Sequence, residues 1–294
     1  MGKIFSFTVH KMKKEQSSPV AGMNLGALPL PELSPDEDML DLDVAQELAY
    51  DAWDASTPAE SFDLAQKALE LSPRCVDAYN ILATHSKTRK DALALYQKAA
   101  AIGERSLGED FFKTCMGDFW SILETRPYMR ARAGIVECLL ALDDKKSAMQ
   151  HCKEILKLCP MDNLGMRDIL MSILLEGSKD KQAEALYKQY KDDYSATWFY
   201  ARALLDFRKY GKGGVANSSL QAAFAVNKFV PDYLLQKKKL PAAKPYGYSP
   251  GNKDEAILLV KEYLPAWQAS AGALQWLEEI RPQRAPRERN PADG

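Results

Sequence analysis

The chain has 294 residues and nearly balanced charge, with 39 lysine and arginine residues against 40 aspartate and glutamate residues. Its composition, 46% hydrophobic and 27% charged, is typical of a globular protein. A net charge of −1 argues against a dedicated binder of nucleic-acid backbones, because such proteins carry a basic excess. A chain of this length can bury a core without disulfides or metals, and it allows one or two domains or one repeat array.

The two ends of the chain have the composition of irregular segments. Residues 1–38 combine prolines and serines with little periodicity and predict an irregular or disordered arm. Residues 281–294 contain three prolines and four arginines and predict a disordered tail. No apolar run approaches the ~18 residues of a membrane span, and the first residues lack the layout of a signal peptide. With five cysteines in apolar helical patterns, we expect a cytoplasmic protein without membrane insertion.

Residues 39–231 read as helix and contain an internal repeat. A small residue, a larger apolar residue four positions later, a third anchor and a closing proline are typical of the second helix of a tetratricopeptide repeat. The small residues let two helices approach closely, and the proline ends the helix. The small position recurs at Ser61, Ala92, Ala148 and Ala183, with spacings of 31, 56 and 35 residues, and a degenerate copy covers residues 218–231.

The interval of 56 residues equals one repeat plus about one extra helix. We place this inserted helix near residues 108–123, where apolar side chains fall at helical spacing on one predicted face. Those side chains are Phe111, Phe112, Cys115, Phe119, Trp120 and Leu123.

Beyond the repeats, residues 232–251 form a loop rich in proline, glycine and lysine. Residues 252–280 predict two helices, with Pro265 in the first turn of the second one, where its missing N–H costs nothing. Such a terminal pair can cap the open end of an array. The predicted fold class is therefore all-α: a tetratricopeptide-like helical-repeat superhelix (α-solenoid) with a C-terminal two-helix cap.

Several short motifs resemble the suppression of tumorigenicity 7 family. In the last third they are Pro231-Asp-Tyr-Leu-Leu235, Gly251-Asn-Lys-Asp-Glu-Ala-Ile257, Trp267 and Gly272-Ala-Leu274. Phe119-Trp120, Glu124-Thr-Arg-Pro-Tyr-Met-Arg-Ala-Arg132 and Ser195-Ala-Thr-Trp-Phe-Tyr-Ala-Arg-Ala-Leu204 are similar to segments of soluble bacterial repeat proteins related to that family. The resemblance covers residues 41–279. It implies the repeat fold and brings no enzymatic activity with it; the membrane association of the animal members is not expected here.

An arginine-rich segment at the start of a predicted first helix is the first candidate binding site. Counting the repeat back from Pro160 places Arg130 at position 2 and Glu137 at position 9, which face the peptide groove of a tetratricopeptide array. A guanidinium there can hold a carboxylate with two hydrogen bonds, and aromatic neighbours add a stacking surface. The candidate partner-binding residues in this segment are Arg126, Tyr128, Arg130, Arg132 and Glu137.

The alternative for this segment is structural. The arginines then pair with nearby carboxylates and fix the inserted helix, since ion-pair networks and binding sites look alike in sequence. The candidate carboxylates are Asp118, Glu124 and Glu137.

A second candidate lies in the segment Trp198-Phe-Tyr-Ala-Arg202. Trp198 and Arg202 would form an aromatic pocket in the groove. The favoured alternative is that Trp198 packs in the core and that Arg202 pairs with Asp206 one turn later.

No pattern for catalysis, cofactors or metals emerges. Cys138, His151, Cys152 and Cys159 lack the short ligand spacings of structural zinc sites and predict buried thiols. Gly211-Lys-Gly-Gly214 lacks the rest of a phosphate-binding loop and predicts a turn. We therefore expect no enzyme activity, no metal and no cofactor.

The sequence predicts a protein–protein interaction scaffold that binds a peptide or helix on the concave face of the array. One alternative is a structural, self-associating protein. The other is an RNA-binding regulator that uses Lys237-Lys-Lys239, Lys244 and the arginine tail. Isolated basic clusters on a neutral protein are usually solvated surface, so we expect no nucleic-acid partner.

Overall fold

The computed structural model describes Leu30 and residues 39–281, and all regular structure within this part of the chain is helical. The predicted all-α class is confirmed. The irregular arm predicted for residues 1–38 and the tail predicted for residues 281–294 lie outside the described residues, except for Leu30 and Arg281. The α-helices in the described part are α1 (Met39–Asp54), α2 (Pro58–Leu71), α3 (Val76–Thr84), α4 (Arg89–Leu107), α5 (Glu109–Thr114), α6 (Arg126–Ala141), α7 (Lys145–Leu158), α8 (Met166–Glu176), α9 (Asp180–Gln189), α10 (Ala196–Tyr210), α11 (Gly214–Val226), α12 (Val230–Leu234), α13 (Lys253–Ala269) and α14 (Ala273–Ile280).

The described part of the chain forms two compact units, which divide between Leu170 and Met171 and are called unit 1 and unit 2. In unit 1, helices α1 and α2, α3 and α4, and α6 and α7 pack as consecutive pairs. The first helices α1, α3 and α6 also pack against each other in chain order, as expected of a helical repeat. We call α1, α3 and α6 the first-helix row.

The second helices of the repeats carry the small and apolar anchors that the sequence pattern predicts. Ala65, Ala68, Ala99, Ala148 and Cys152 are fully buried. Small side chains at these positions let neighbouring helices approach closely, so the predicted repeat period of unit 1 reflects real packing.

Polar caps determine where the second helices of unit 1 begin. The hydroxyl of Thr57 accepts a hydrogen bond from the Glu60 amide at 3.2 Å, and that of Thr88 accepts one from the Asp91 amide at 3.1 Å. The Asp144 carboxylate does the same for α7. Each cap satisfies a backbone N–H that has no partner inside its helix, and typically stabilises the helix by about 1 kcal/mol.

Helices α4 and α6 of unit 1 pack closely through two reciprocal glycine–tyrosine pairs. Gly134 of α6 lies under the ring of Tyr96, and a Cβ atom at Gly134 would be 2.4 Å from that ring. Gly103 of α4 lies against Tyr128, where a Cβ atom would be 3.1 Å from the Tyr128 Cβ. These glycines allow two helices to pack directly on aromatic rings.

The inserted helix is shorter than the sequence pattern suggests. Helix α5 has six residues, and the chain then turns through Gly117, whose φ of 100° is unfavourable for other residues. The turn buries Phe119, whereas Leu123 is 60% exposed. Residues 108–123 therefore do not share one helical face. Instead, the chain folds back and packs Phe119 at 4.9 Å from Phe112, centroid to centroid.

In unit 2, helix α10 packs against α11 and α13, and α14 packs against α11, α12 and α13. The buried carboxylate of Glu255 joins several of these elements. It accepts hydrogen bonds from the Ala196 amide at 3.2 Å, the Gly251 amide at 2.6 Å and the Asn227 side chain at 2.9 Å. One residue of α13 thus completes the first turn of α10.

The predicted helix boundary at Pro265 is wrong. Helix α13 continues through Pro265, and the break before α14 lies near Gly272, whose φ is 78°. Pro265 is exposed, so water can reach the carbonyl group that its missing N–H leaves without a helical partner. Ala266 and Trp267, which follow Pro265, are fully buried. We infer that this packing outweighs the cost of the proline.

Replacing Gly134 by alanine is expected to lower the free energy of unfolding by about 1–3 kcal/mol, the usual cost of overpacking a core. The added methyl group meets the Tyr96 ring, which must move. Gly214→Ala is the matched control, because a Cβ atom there meets nothing within 4 Å and alanine favours helix. Urea denaturation followed by circular dichroism compares the two. Equal stability of both variants would contradict the close α4–α6 packing.

Candidate interaction surface

Arg130 is held in a buried polar network of unit 1. Its Nε donates to Asp77 Oδ1 at 2.8 Å, and its terminal nitrogen pairs with Asp77 Oδ2. Gln46 donates to the same carboxylate at 2.9 Å. Asn80 donates both to Asp77 at 3.0 Å and to the Pro127 carbonyl at 2.9 Å. The network therefore connects α1, α3 and α6, the three members of the first-helix row.

The positive charge of Arg130 and the negative charge of Asp77 neutralise each other in a largely buried environment. The Asp77 side chain is 0% exposed and that of Arg130 is 13% exposed. Burial alone lowers the pKa of the Arg130 guanidinium, but the charge of Asp77 and its hydrogen bonds raise the pKa overall. The donors that were expected to hold a ligand carboxylate are thus used by Asp77. The sequence reading had named other carboxylates as partners.

The other arginines of α6 contact different elements. Arg132 donates to the Tyr128 hydroxyl at 2.7 Å and pairs with Glu154 of α7. Arg126 donates to the Trp120 carbonyl at 3.0 Å and stacks 5.4 Å from the centre of the Trp120 ring. Arg130 and Arg132, two apart on the helix, point in widely different directions. The three arginines thus make three separate contacts within the fold.

The remaining residues predicted for this segment lie inside the fold. Tyr128 is buried and packs edge-on against Phe112 at 5.4 Å. Glu137 is half-buried, and its charge contributes to the raised pKa of Cys138, after burial and the opposing effect of Arg89.

Trp198 and Arg202 belong to unit 2. Trp198 is fully buried and stacks on Tyr187 at 6.2 Å, as the packing alternative predicts. Arg202 donates two hydrogen bonds to Glu184, at 2.7 and 2.8 Å, and two to Asp206, at 2.7 and 3.0 Å. The structure thus gives Arg202 two carboxylate partners, of which the sequence reading had predicted Asp206.

The lysine-rich loop of unit 2 is also partly neutralised. Lys237 pairs with Glu278, and Lys244 lies 3.6 Å from Glu262. These pairs reduce the positive charge available for a phosphate backbone, which weakens the RNA-binding alternative.

The cysteines and the possible metal ligands are the remaining candidates for chemistry. Within the described residues, no group of three or more histidine, cysteine or acidic side chains could hold a metal ion. Burial raises the pKa of Cys75 to about 12, that of Cys138 to about 11 and that of Cys152 to about 12. These thiols stay protonated near neutral pH and behave as small apolar side chains. Among the described helices, none is both long and apolar enough to span a membrane.

Helix α1 carries a surface that the sequence reading missed. It packs on its neighbours through small residues, because its buried positions are Ala45, Ala49 and Ala52. Leu42 and Leu48 are half-buried, but the other five large apolar side chains are exposed, in contrast to an ordinary amphipathic helix. They are Met39 (63% exposed), Leu40 (64%), Val44 (46%), Tyr50 (42%) and Trp53 (38%).

The same helix is strongly acidic and contains no lysine or arginine. Helical spacing places Asp43, Glu47 and Asp54 in one stripe, with Leu40 and Val44 on one side of it. Met39, Tyr50 and Trp53 lie on the other side. All five carboxylates of the helix are exposed. We call the exposed face of Met39–Asp54 the α1 surface.

A sequence signal could have revealed the α1 surface. From residue 15 to residue 66 the chain contains twelve acidic residues and no lysine, arginine or histidine. The balanced charge of the whole chain hides this local asymmetry. Charge counted in windows along the chain would have found it.

Replacing Asp77 by asparagine is expected to lower the free energy of unfolding by about 3–5 kcal/mol, because it leaves the buried Arg130 charge without compensation. Glu109→Gln breaks an exposed ion pair with Lys113 and should cost less than about 1 kcal/mol. Chemical denaturation of both variants tests this difference. If Asp77→Asn costs no more than the control, Arg130 does not depend on Asp77 and is available to a ligand.

The Arg202 network predicts a pH effect. Hydrogen bonds from Arg202, opposed by partial burial, lower the pKa of Glu184 below its ordinary 4.5. The resulting stabilisation is present above about pH 4.5 and is lost as the pH falls through the lower, folded-state value. In Arg202→Gln, the stability difference between pH 7 and pH 3 should therefore be smaller than in wild type. An unchanged difference in thermal or urea unfolding would contradict this coupling.

The chain is similar in sequence to several known proteins. The protein called ST7 homolog of Drosophila melanogaster is 26% identical over 259 residues, which cover 79% of this chain and 47% of that protein. The human protein called suppressor of tumorigenicity 7 protein-like is 25% identical over 250 residues, which cover 77% of this chain and 43% of that protein. This chain spans less than half the length of these relatives.

Among solved structures, that of YrrB, described as a TPR protein with an unusual peptide-binding site, aligns with a TM-score of 0.43 and 16% identity. The alignment covers 65% of this chain and 87% of YrrB. The profile of one protein family, described as ST7 protein, matches residues 22–283. Because this match includes most of the sequence, the chain belongs to the ST7 protein family.

Proposed function

We propose that this chain is a non-enzymatic protein–protein interaction scaffold whose α1 surface binds a basic, partly apolar segment of a partner protein. The observation that carries this proposal is the exposure of five large apolar side chains on one acidic helix. The predicted arginines, by contrast, have partners within their own unit. We therefore assign the partner contact to α1 and a structural role to Arg130.

The apolar side chains supply the driving force of this interaction. Burying exposed apolar area contributes about 25 cal/mol per Å², and the part that exceeds the entropic cost of association stabilises the complex. Single exposed apolar residues are ordinary, whereas five on one short helix, in two rows, favour an interaction site. The two apolar edges of the α1 surface flank its acidic stripe, so one partner segment can contact both.

The carboxylates determine which partner fits. Five exposed negative charges without a basic residue on the same helix attract lysine and arginine and repel acidic segments. A helix or extended peptide with basic residues beside leucine-like side chains matches this pattern. The partner is thus defined by charge opposite to the α1 surface and by a narrow apolar face. The five free thiols support a cytoplasmic, reducing compartment for this function.

A synthetic amphipathic peptide with lysines along one face and leucines along the other tests the proposal. We expect wild type to bind the peptide in a salt-sensitive manner. The double substitution Asp43→Lys/Glu47→Lys should weaken binding by about tenfold, or about 1.4 kcal/mol. Fluorescence anisotropy of the labelled peptide measures the affinity.

The matched control is Asp118→Lys/Glu124→Lys. It makes the same change in net charge in unit 1, on exposed residues outside α1. Its affinity for the peptide should stay near that of wild type. Equal weakening by both double variants would show a general charge effect, and no weakening by the α1 variant would remove α1 as the contact surface.

A further inference from the structure

A second charged surface lies in unit 2, around Phe229. Three lysine ammonium groups lie close to this one aromatic ring: that of Lys228 is 5.6 Å from the ring centroid, and those of Lys238 and Lys253 are each 5.8 Å away. Lys228 precedes Phe229 in the chain, Lys238 follows α12, and Lys253 begins α13. We call these four residues the Phe229 surface.

The positive charge of the Phe229 surface is only partly balanced. Lys238 also contacts Asp232 at 3.2 Å. Lys228 and Lys253 are exposed, and in the part of the chain that the structure describes neither belongs to an ion pair. Because all three ammonium groups lie within 5.8 Å of the Phe229 centroid, no two of them are separated by more than about twice that distance. Their separation is thus near the screening length of about 8–10 Å, and they repel each other.

The α1 surface has the complementary chemistry. It is acidic where the Phe229 surface is basic, and both combine charge with exposed or half-buried apolar groups. The stripe from Asp43 to Asp54 is about 16 Å long at 1.5 Å per residue, so three lysines around one ring fit along it. Phe229 would then lie against an apolar edge of α1.

We infer that the α1 surface of one copy of this chain binds the Phe229 surface of a second copy. This inference rests on the proposed function, because it names the partner of the α1 surface. Since the two surfaces differ, the contact is heterologous, and each bound copy leaves one surface free for a further copy. Its small size and its many exposed charges make the association weak, reversible and strongest at low salt.

Two variants, each altered at one surface only, test the inference by analytical ultracentrifugation at low and high salt. Asp43→Lys/Glu47→Lys makes the acidic surface basic, and Lys228→Glu/Lys253→Glu makes the basic surface acidic. We expect wild type to assemble with rising concentration at low salt and each variant alone to stay monomeric, because its two surfaces then carry like charge. An equimolar mixture of the two variants should assemble again, because the intact surfaces of the two variants are complementary and so are their reversed surfaces.

The protein that carries all four substitutions should regain assembly, because its charges are exchanged and not removed. Lys181→Glu/Lys191→Glu is the matched control, with the same charge change on exposed lysines of unit 2. It should assemble like wild type. Unchanged circular dichroism and thermal unfolding establish that every variant is folded.

Wild type that remains monomeric at low salt and high concentration would overturn the inference, as would undiminished assembly of Lys228→Glu/Lys253→Glu. If the same wild type still binds the basic peptide through α1, the proposed function stands and the partner is another protein. If wild type neither binds the peptide nor self-associates, both proposals fail.

Discussion

The ion pair between Arg130 and Asp77 determines how the first-helix row of unit 1 is arranged. A buried carboxylate needs donors, and Asp77 receives them from α1, from its own helix and from α6. The three helices must therefore occupy positions that satisfy one charged group together. Apolar packing tolerates small sliding movements of helices, but hydrogen bonds from three directions do not. The pair contributes geometry more than net stability, because desolvation offsets much of the attraction.

This constraint also explains why α1 can expose its large apolar residues. Gln46 attaches α1 to Asp77, and its three buried alanines bring it close to the adjacent helix. The position of α1 is thus fixed by a few polar contacts, among them that of Gln46, and by packing in which small side chains are the fully buried ones. Packing places few demands on the exposed face of the helix, so that face can carry residues that contact a partner. One face of α1 thus packs on the internal network, and the opposite face carries the proposed binding surface.

The fold was largely predictable because it follows from local patterns. The small position of the repeat recurs at Ala92, Ala148 and Ala183, and each of these residues lies in the core as expected. The partner of Arg130 was not predictable, because a repeat position gives the direction of a side chain and not what it contacts. Asp77 lies 53 residues before Arg130, so no local rule connects them. The helix boundary predicted at Pro265 was wrong for a related reason. Proline tends to break a helix locally, but here packing that only the tertiary structure reveals outweighs this tendency.

The position of Glu255 has a consequence for the order in which the chain can fold during synthesis. The first turn of α10 begins at Ala196. The buried amide of Ala196 donates to the carboxylate of Glu255, which lies 59 residues further along the chain. The ribosome synthesises the chain from the N-terminus onwards, so the residues of α10 are made several seconds before Glu255 is added. The Asp77 network is complete once residue 130 has emerged. Unit 1 can thus mature early, whereas unit 2 becomes fully ordered only when nearly the whole described chain has left the exit tunnel.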